Sequence, residues 1–418
     1  MVWTAASIGA IALAVGFVRP TVLSGGSERP IDLSGRPAAA ATPIWGNGTL
    51  ATVGTTVAGD RSDIYLLASG STVPAQLTST PDLDEYAPSW SPDGTLLAFI
   101  RSDPPDPERR GRFANAAACL EVCDLVVVDG TSAAAVFSIG IAHPLQIREE
   151  GFRDSMVPSS IVWAPDGRSL IVDRGWCGIG GCGGLASVGS VLVDVEHART
   201  VEVPPEISVL GWSPDGRWLA FTDAQGVSGR SLVVVPAGHL DESSFTDPEE
   251  RAGWIVLAES PSWAMSIDWA ADSSEVLLNA GMIFGPGPGE SWQPATIDAI
   301  AVPEGHRRTV IADGANPMAS PDGRRLAYHT GYEVNGDGEI LTDIWVADLD
   351  GADALRIAEN AAADSWSPDG RFLVAHDDRS WFTIAADGTD RSDLAVRAVG
   401  GGVPWGPTAS WQGVPSAE

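Results

Sequence analysis

One block of residues recurs along the chain and limits what it can fold into more than any other feature. It reads Trp90-Ser91-Pro92-Asp93-Gly94 followed by Leu96-Leu97-Ala98-Phe99, then Trp163-Ala164-Pro165-Asp166-Gly167 and Trp212-Ser213-Pro214-Asp215-Gly216. A degenerate copy follows at Trp269-Ala270-Ala271-Asp272-Ser273, with two more at Ala319-Ser320-Pro321-Asp322-Gly323 and Trp366-Ser367-Pro368-Asp369-Gly370. Successive motif aspartates lie 73, 49, 57, 50 and 47 residues apart, the pattern of one structural unit carrying loop insertions.

The block has a physical reading. Proline fixes φ, aspartate caps the turn and glycine supplies φ > 0, so Pro-Asp-Gly reverses the chain between two strands. A third strand follows in each unit, as at Asp63–Leu67, Leu125–Val128, Ser231–Val235 and Asp343–Val346. A weaker fourth lies at Ala75–Thr78 and Arg308–Ile311. Four near-continuously apolar strands per unit, with no substantial helix between them, describe a β-propeller blade covered on both faces by its neighbours.

The chain ends count the blades. Thr49–Val53 matches the second strand of a unit that lacks its first, and Pro407–Gly413 matches that missing strand. First-strand positions are then Trp90, Trp163, Trp212, Trp269, Ala319, Trp366 and Trp411. The expected fold is all-β, a seven-bladed β-propeller closed by the C-terminal strand; the 73-residue step leaves six or eight blades open. The motif tryptophans are expected to pack between blades and the motif aspartates to cap their own turns.

Residues 45–418 form this propeller. Residues 2–18 are an uncharged apolar run, expected as a signal anchor in preference to a cleaved signal peptide, and residues 19–44 are a Pro-, Gly-, Ser- and Ala-rich flexible linker. Either reading of the run exports the propeller, giving an extracytoplasmic, membrane-tethered location. The net charge is −30, and all 25 cations are arginines. Such a charge repels phosphate backbones and excludes nucleic acid as a partner. The lack of lysine excludes Schiff-base chemistry and a P-loop.

The W-S-P-D-G-x-x-L-A-F block resembles the repeat of TolB-like β-propellers, relatives of the WD-type repeat, over roughly residues 45–413. That resemblance implies the propeller and an exported setting. It leaves function open, because the repeat is shared by protein-binding propellers, by the propeller halves of prolyl-peptidase relatives and by a few enzymes. TolB itself has six blades and a preceding α/β domain, so a Tol-Pal role is not carried over.

Four sets of residues are candidates. Arg109, Arg110 and Arg112, with Arg148, Arg153 and Trp176, lie in long loops and form a candidate surface for a protein, peptide or glycan partner, arginines pairing with acidic groups. Cys119, Cys123, Cys177 and Cys182 fall between second and third strands of consecutive units and read first as two disulfides, with a four-cysteine zinc site as the rival. Asp268 and Asp364, just before motif tryptophans, are the carboxylates of an alternative hydrolase or lyase site at the channel mouth. Asn335–Glu339 and Asp348–Gly351 superficially suggest calcium loops but continue to no glutamate at the required distance, and the six histidines show no metal spacing. No cofactor is therefore expected, and the favoured function is a non-catalytic binding scaffold.

Overall fold

A computed structural model describes residues 31–32, 48–55, 62–68, 71, 73–80, 82–103, 118–141, 155–177, 187–204, 206–223, 230–260, 265–280, 295–334, 340–377, 380–394 and 409–412. Seven four-stranded antiparallel sheets account for nearly all of them. Blade 1 combines Ala409–Trp411 with Leu50–Thr55, Ser62–Leu67 and Ala75–Gln76; blade 2 holds Asp84–Trp90, Leu96–Asp103, Ala118–Asp129 and Ala135–Gly140. Blade 3 is Ser155–Trp163, Ser169–Cys177, Ser187–Asp194 and Arg199–Glu202, and blade 4 is Ile207–Trp212, Trp218–Asp223, Arg230–Pro236 and Ile255–Ser260. Met265–Trp269, Glu275–Ala280, Thr296–Ala301 and Arg307–Ile311 form blade 5; Ala315–Ala319, Arg325–Val334, Ile340–Asp348 and Leu355–Ala358 form blade 6. Blade 7 is Ala362–Trp366, Phe372–His376, Trp381–Ala385 and Ser392–Asp393. The 73-residue step hides no eighth blade; blade 2 simply has longer strands and longer connections.

The motif turn holds itself together. In blade 2 the Ser91 hydroxyl donates to Asp93 Oδ1 at 2.6 Å and accepts from Leu96 N at 2.9 Å, while Asp93 Oδ1 also accepts from Thr95 N at 3.0 Å. Ser213–Asp215, Ser320–Asp322 and Ser367–Asp369 repeat the 2.6 Å bond. Gly94 takes φ 67°, a left-handed conformation that a side chain would strain. In the degenerate copy Ser273 adopts φ 63° instead, and its hydroxyl accepts from Asp215 N of blade 4 at 3.0 Å.

Packing between blades follows from the apolar strands. Leu97, Ala98, Phe99 and Ile100 are all at most 1% exposed, because both faces of their sheet are covered. The five motif tryptophans Trp90, Trp163, Trp212, Trp269 and Trp366 are buried in clusters that cross the blade boundaries. Two of them reach the preceding blade: Trp163 Nε1 donates to Ser89 O at 3.0 Å and Trp366 Nε1 to Met318 O at 2.9 Å.

A second tie recurs six residues after the motif glycine. There Asp173 accepts from Ser208 of the next blade at 3.2 Å, Asn279 donates to Gly314 O at 3.5 Å, and His329 Nε2 accepts from Ala363 N at 2.9 Å. Blade 4 carries an insertion between its third and fourth strands, with short helices at Glu242–Thr246 and Pro248–Arg251. Its Phe245 is 1% exposed and meets Phe221 edge-on, anchoring the insertion to the sheet.

The expected N-terminal anchor lies outside the described residues, and no helix among those described is long and apolar enough to cross a membrane, so the structure gives the anchor no support. Of the expected linker, Ile31–Asp32 pairs antiparallel with His239–Leu240 on the blade 4 insertion.

Closure rests on residue 412. Gln412 N donates to Thr49 O at 2.8 Å, Gln412 Oε1 accepts from Thr49 N at 3.0 Å, and Gln412 Nε2 donates to Gly94 O at 2.6 Å. Its side chain is 5% exposed. Replacing it by alanine leaves a buried N–H and a buried carbonyl without partners, so Gln412→Ala is expected to lower stability by about 1–3 kcal/mol, read as a shifted denaturant midpoint.

Candidate functional site at the loop face

An antiparallel four-stranded blade divides its connections between two ends. The links from first to second and from third to fourth strand emerge on one face, where the capped motif turns lie. The links from second to third strand, and from each blade to the next, emerge on the other. On this loop face leave the connection 104–117 of blade 2, the connection 178–186 of blade 3 and the segment 142–154 between them. Arg109, Arg110, Arg112, Arg148 and Arg153 belong to these connections and lie outside the described residues.

Four candidates expected in loops stand on strands. Cys119 and Cys123 lie within Ala118–Asp129, and Trp176 and Cys177 end Ser169–Cys177. The reason is that the hairpin arms run on past the blade body: Asp103 pairs with Ala118, and Trp176 and Cys177 pair with Met156 and Ser155. Cys123 is 2% exposed and disulfide-bonded. Cys182 lies outside the described residues.

The paired carboxylates do not form one site. Asp268 places Oδ1 on its neighbour Trp269 N at 2.8 Å and Oδ2 on Ala319 N of blade 6 at 2.7 Å, a main-chain clamp between adjacent first strands. Burial pushes its carboxyl up to about 6 against those two donors. Ser410 does the same task in blade 1, where its hydroxyl accepts from Trp90 N at 3.2 Å. Asp268 is thus committed to the ring.

Asp364 stands two blades away from Asp268, at an irregularity in the first strand of blade 7, between the pairs Ala363–Ala375 and Ser365–Val374. Released from the ladder there, its Oδ2 meets His376 Nδ1 at 2.8 Å, and its side chain is 7% exposed. Burial alone would depress the His376 imidazole, but the Asp364 carboxylate, with help from Asp377, outweighs it and raises the pKa above 6.5. His376 remains 37% exposed at the loop end of its strand, tilted against Trp381 with ring centroids 4.8 Å apart.

His329 behaves oppositely. It is 4% exposed, and burial pushes it down to about 4, the Asp364 charge only partly offsetting this. Its Nε2 accepts from Ala363 N, which leaves the proton of the neutral ring on Nδ1, 3.4 Å from the Asn316 carboxamide. One carboxylate therefore lies between two imidazoles whose pKa values are shifted in opposite directions. Spacing alone hid this group, since His329 and His376 are 47 residues apart; superimposing the repeats shows both six residues after a motif glycine.

The Asp348–Gly351 segment is a hairpin turn, with Gly351 N donating to Asp348 O at 2.8 Å and Asp350 Oδ1 accepting from Ala352 N at 3.0 Å. Residues 335–339 lie outside the described residues. Among the described residues no three His, Cys, Asp or Glu side chains are grouped to hold a metal ion.

The two histidines give opposite pH signatures. A raised folded pKa at His376 stabilises fully below 6.5 and the gain is lost as pH rises from there through the folded value; a depressed one at His329 stabilises above 6.5 and the gain is lost as pH falls toward 4. Asp364→Asn is expected to bring the His376 pKa below 6.5, because burial then acts with less opposition. Imidazole NMR titration checks it; an unchanged His376 would show that Asp364 is not the cause.

No protein-family model matches the chain. A segment of 144 residues, 34% of this chain, is 27% identical to the Tol-Pal system protein TolB of Anaeromyxobacter dehalogenans (strain 2CP-1 / ATCC BAA-258) and spans 30% of that relative's length. Among solved structures, the chain is similar to an oligogalacturonate lyase in complex with manganese, with 12% identity and a TM-score of 0.53, covering 89% of this chain and 91% of that one. A prolyl endopeptidase, at 12% identity and a TM-score of 0.53, is matched over 86% of this chain and 50% of its own. Identities this low show the fold alone. The chain is a seven-bladed β-propeller whose recurring Ser-Pro-Asp-Gly turn and matched segment resemble those of TolB proteins.

Proposed function

We propose that the propeller is a non-catalytic scaffold that binds a protein, peptide or glycan partner on its loop face, in an extracytoplasmic compartment, with residues 2–18 as its membrane tether. One observation carries the reading: the motif turns of blades 2, 4, 6 and 7 cap themselves, whereas the connections 104–117, 142–154 and 178–186 leave blades 2 and 3 side by side on the loop face. Those connections carry Arg109, Arg110, Arg112, Arg148 and Arg153, five of the 25 arginines of an acidic chain, and guanidinium groups suit an acidic partner. The disulfide at Cys123 supports the compartment, since such bonds persist where the surroundings oxidise, and its sulfur is not available as a zinc thiolate.

A catalytic reading has one observation in its favour. His376, held through Nδ1 by Asp364 and partly exposed, has the arrangement of a general acid–base group. Asp268 contributes nothing to that reading, with both oxygens on main-chain N–H groups.

Affinity capture from the native envelope, with wild-type chain and a deletion of residues 104–118 as baits, separates the two. The binding reading expects at least one partner to be lost with the deletion and retained by His376→Gln. Recovery of every partner by the deletion would defeat the loop-face assignment.

A further inference from the structure

The seam between blade 1 and blade 2 buries two facing carboxyl groups. Asp63 lies at the start of the third strand of blade 1 and is 5% exposed; Glu85 lies at the start of the first strand of blade 2 and is 0% exposed. Each has one oxygen engaged. Gln76 Nε2 donates to Asp63 Oδ2 at 2.9 Å; Arg101 Nε donates to Glu85 Oε1 at 2.9 Å, and the Thr80 hydroxyl donates to the same oxygen. Thr80 also gives its main-chain N–H to Asp63, so one residue of the connection between the blades ties both carboxyls. The remaining oxygens, Asp63 Oδ1 and Glu85 Oε2, are buried without a donor, and the two carboxyls lie within hydrogen-bonding reach of each other.

The surroundings add negative charge. Asp84, beside the pair, accepts from Ser62 N at 2.7 Å and from the Ser62 hydroxyl at 3.1 Å. Arg101 faces Glu85 from the second strand of blade 2, and Asp124 on the third strand and Asp103 lie beyond it. Tyr65, from the strand of Asp63, feels the Asp63 charge. A single guanidinium at Glu85 does not balance the carboxyls that converge on it. Adjacent carboxylates in a dry seam cannot both stay ionised, because repulsion and lost hydration each favour keeping a proton. A proton shared between the two carboxyls supplies the donor that neither otherwise has for its second oxygen.

We propose that Asp63 and Glu85 hold one proton between them at neutral pH, and that this proton seals the joint between the closing blade and its neighbour. Burial raises both carboxyls above their ordinary range, with Thr80 opposing it at each and Arg101 at Glu85. The sign follows: the folded chain holds the proton more tightly than the unfolded chain, so the joint is strongest in acid and loosens as pH rises through its release. The device is separate from the loop-face reading and makes the ring itself responsive to pH.

Infrared spectroscopy of the full chain at neutral pH tests it, because a protonated carboxyl absorbs apart from carboxylates. Neutral pH lies above the value of about 6 at which Asp268 titrates. The expected result is a protonated carboxyl band that shifts when aspartate and glutamate are labelled with carboxyl carbon-13, and that is lost in Glu85→Gln and in Asp63→Asn. The labelled wild-type spectrum decides even where a variant fails to fold. Absence of the band in the wild type, or its survival in both folded variants, would overturn the proposal.

Discussion

Everything in this ring depends on a pairing between residues more than three hundred positions apart. Leu50 faces Trp411 and Thr52 faces Ala409 across the closing blade, and Gln412 bonds both to Thr49 and to the blade 2 turn. Without that pairing the blade would lack its innermost strand, and two blades would expose apolar faces to water. Fit is tight there: a Cβ built on Gly48, at φ 80°, would stand 2.4 Å from Gln412 O. Only glycine admits the closing strand.

The rest of the ring is held by small devices repeated blade by blade. In four of the motif turns the serine and aspartate bond to each other, so the turn is closed by its own residues. In blades 3, 5 and 6 the position six residues further on does the reverse and joins one blade to the next. Asp173, Asn279 and His329 use different chemistry for that joint, an anionic acceptor, an amide donor and a neutral imidazole acceptor. In these three blades the partner across the seam offsets the cost of burying a polar residue there.

How far the structure could be read from sequence follows from this division. The turns, the third strands and the closing pair were legible because their causes are local: proline, aspartate and glycine at fixed offsets, and apolar runs between them. Strand ends were not, since Cys119 and Trp176 extend the sheet only through partners at a distance, Asp103 and Met156 among the paired segments. The partners of Asp364 depend on a skipped ladder position that no residue type announces. Nor does any spacing reveal that Asp63 and Glu85 meet, because the connection containing Thr80 folds one blade onto the next. Asp268, chosen for its place beside a motif tryptophan, proved to be a clamp by the same logic: proximity to the axis says nothing about which oxygens the main chain has already claimed.

The meeting of Thr49 and Gln412 has a consequence for the order of the chain. With those residues bonded side by side, the ring has no intrinsic first blade, and the break in the polypeptide is a matter of where synthesis starts. Joining residues 49 and 412 by a short linker and reopening the chain at a loop-face connection would rotate the sequence around the ring while preserving the seven blade sheets. The blade now assembled from distant segments would then be continuous, and the closing pairing would move to another blade.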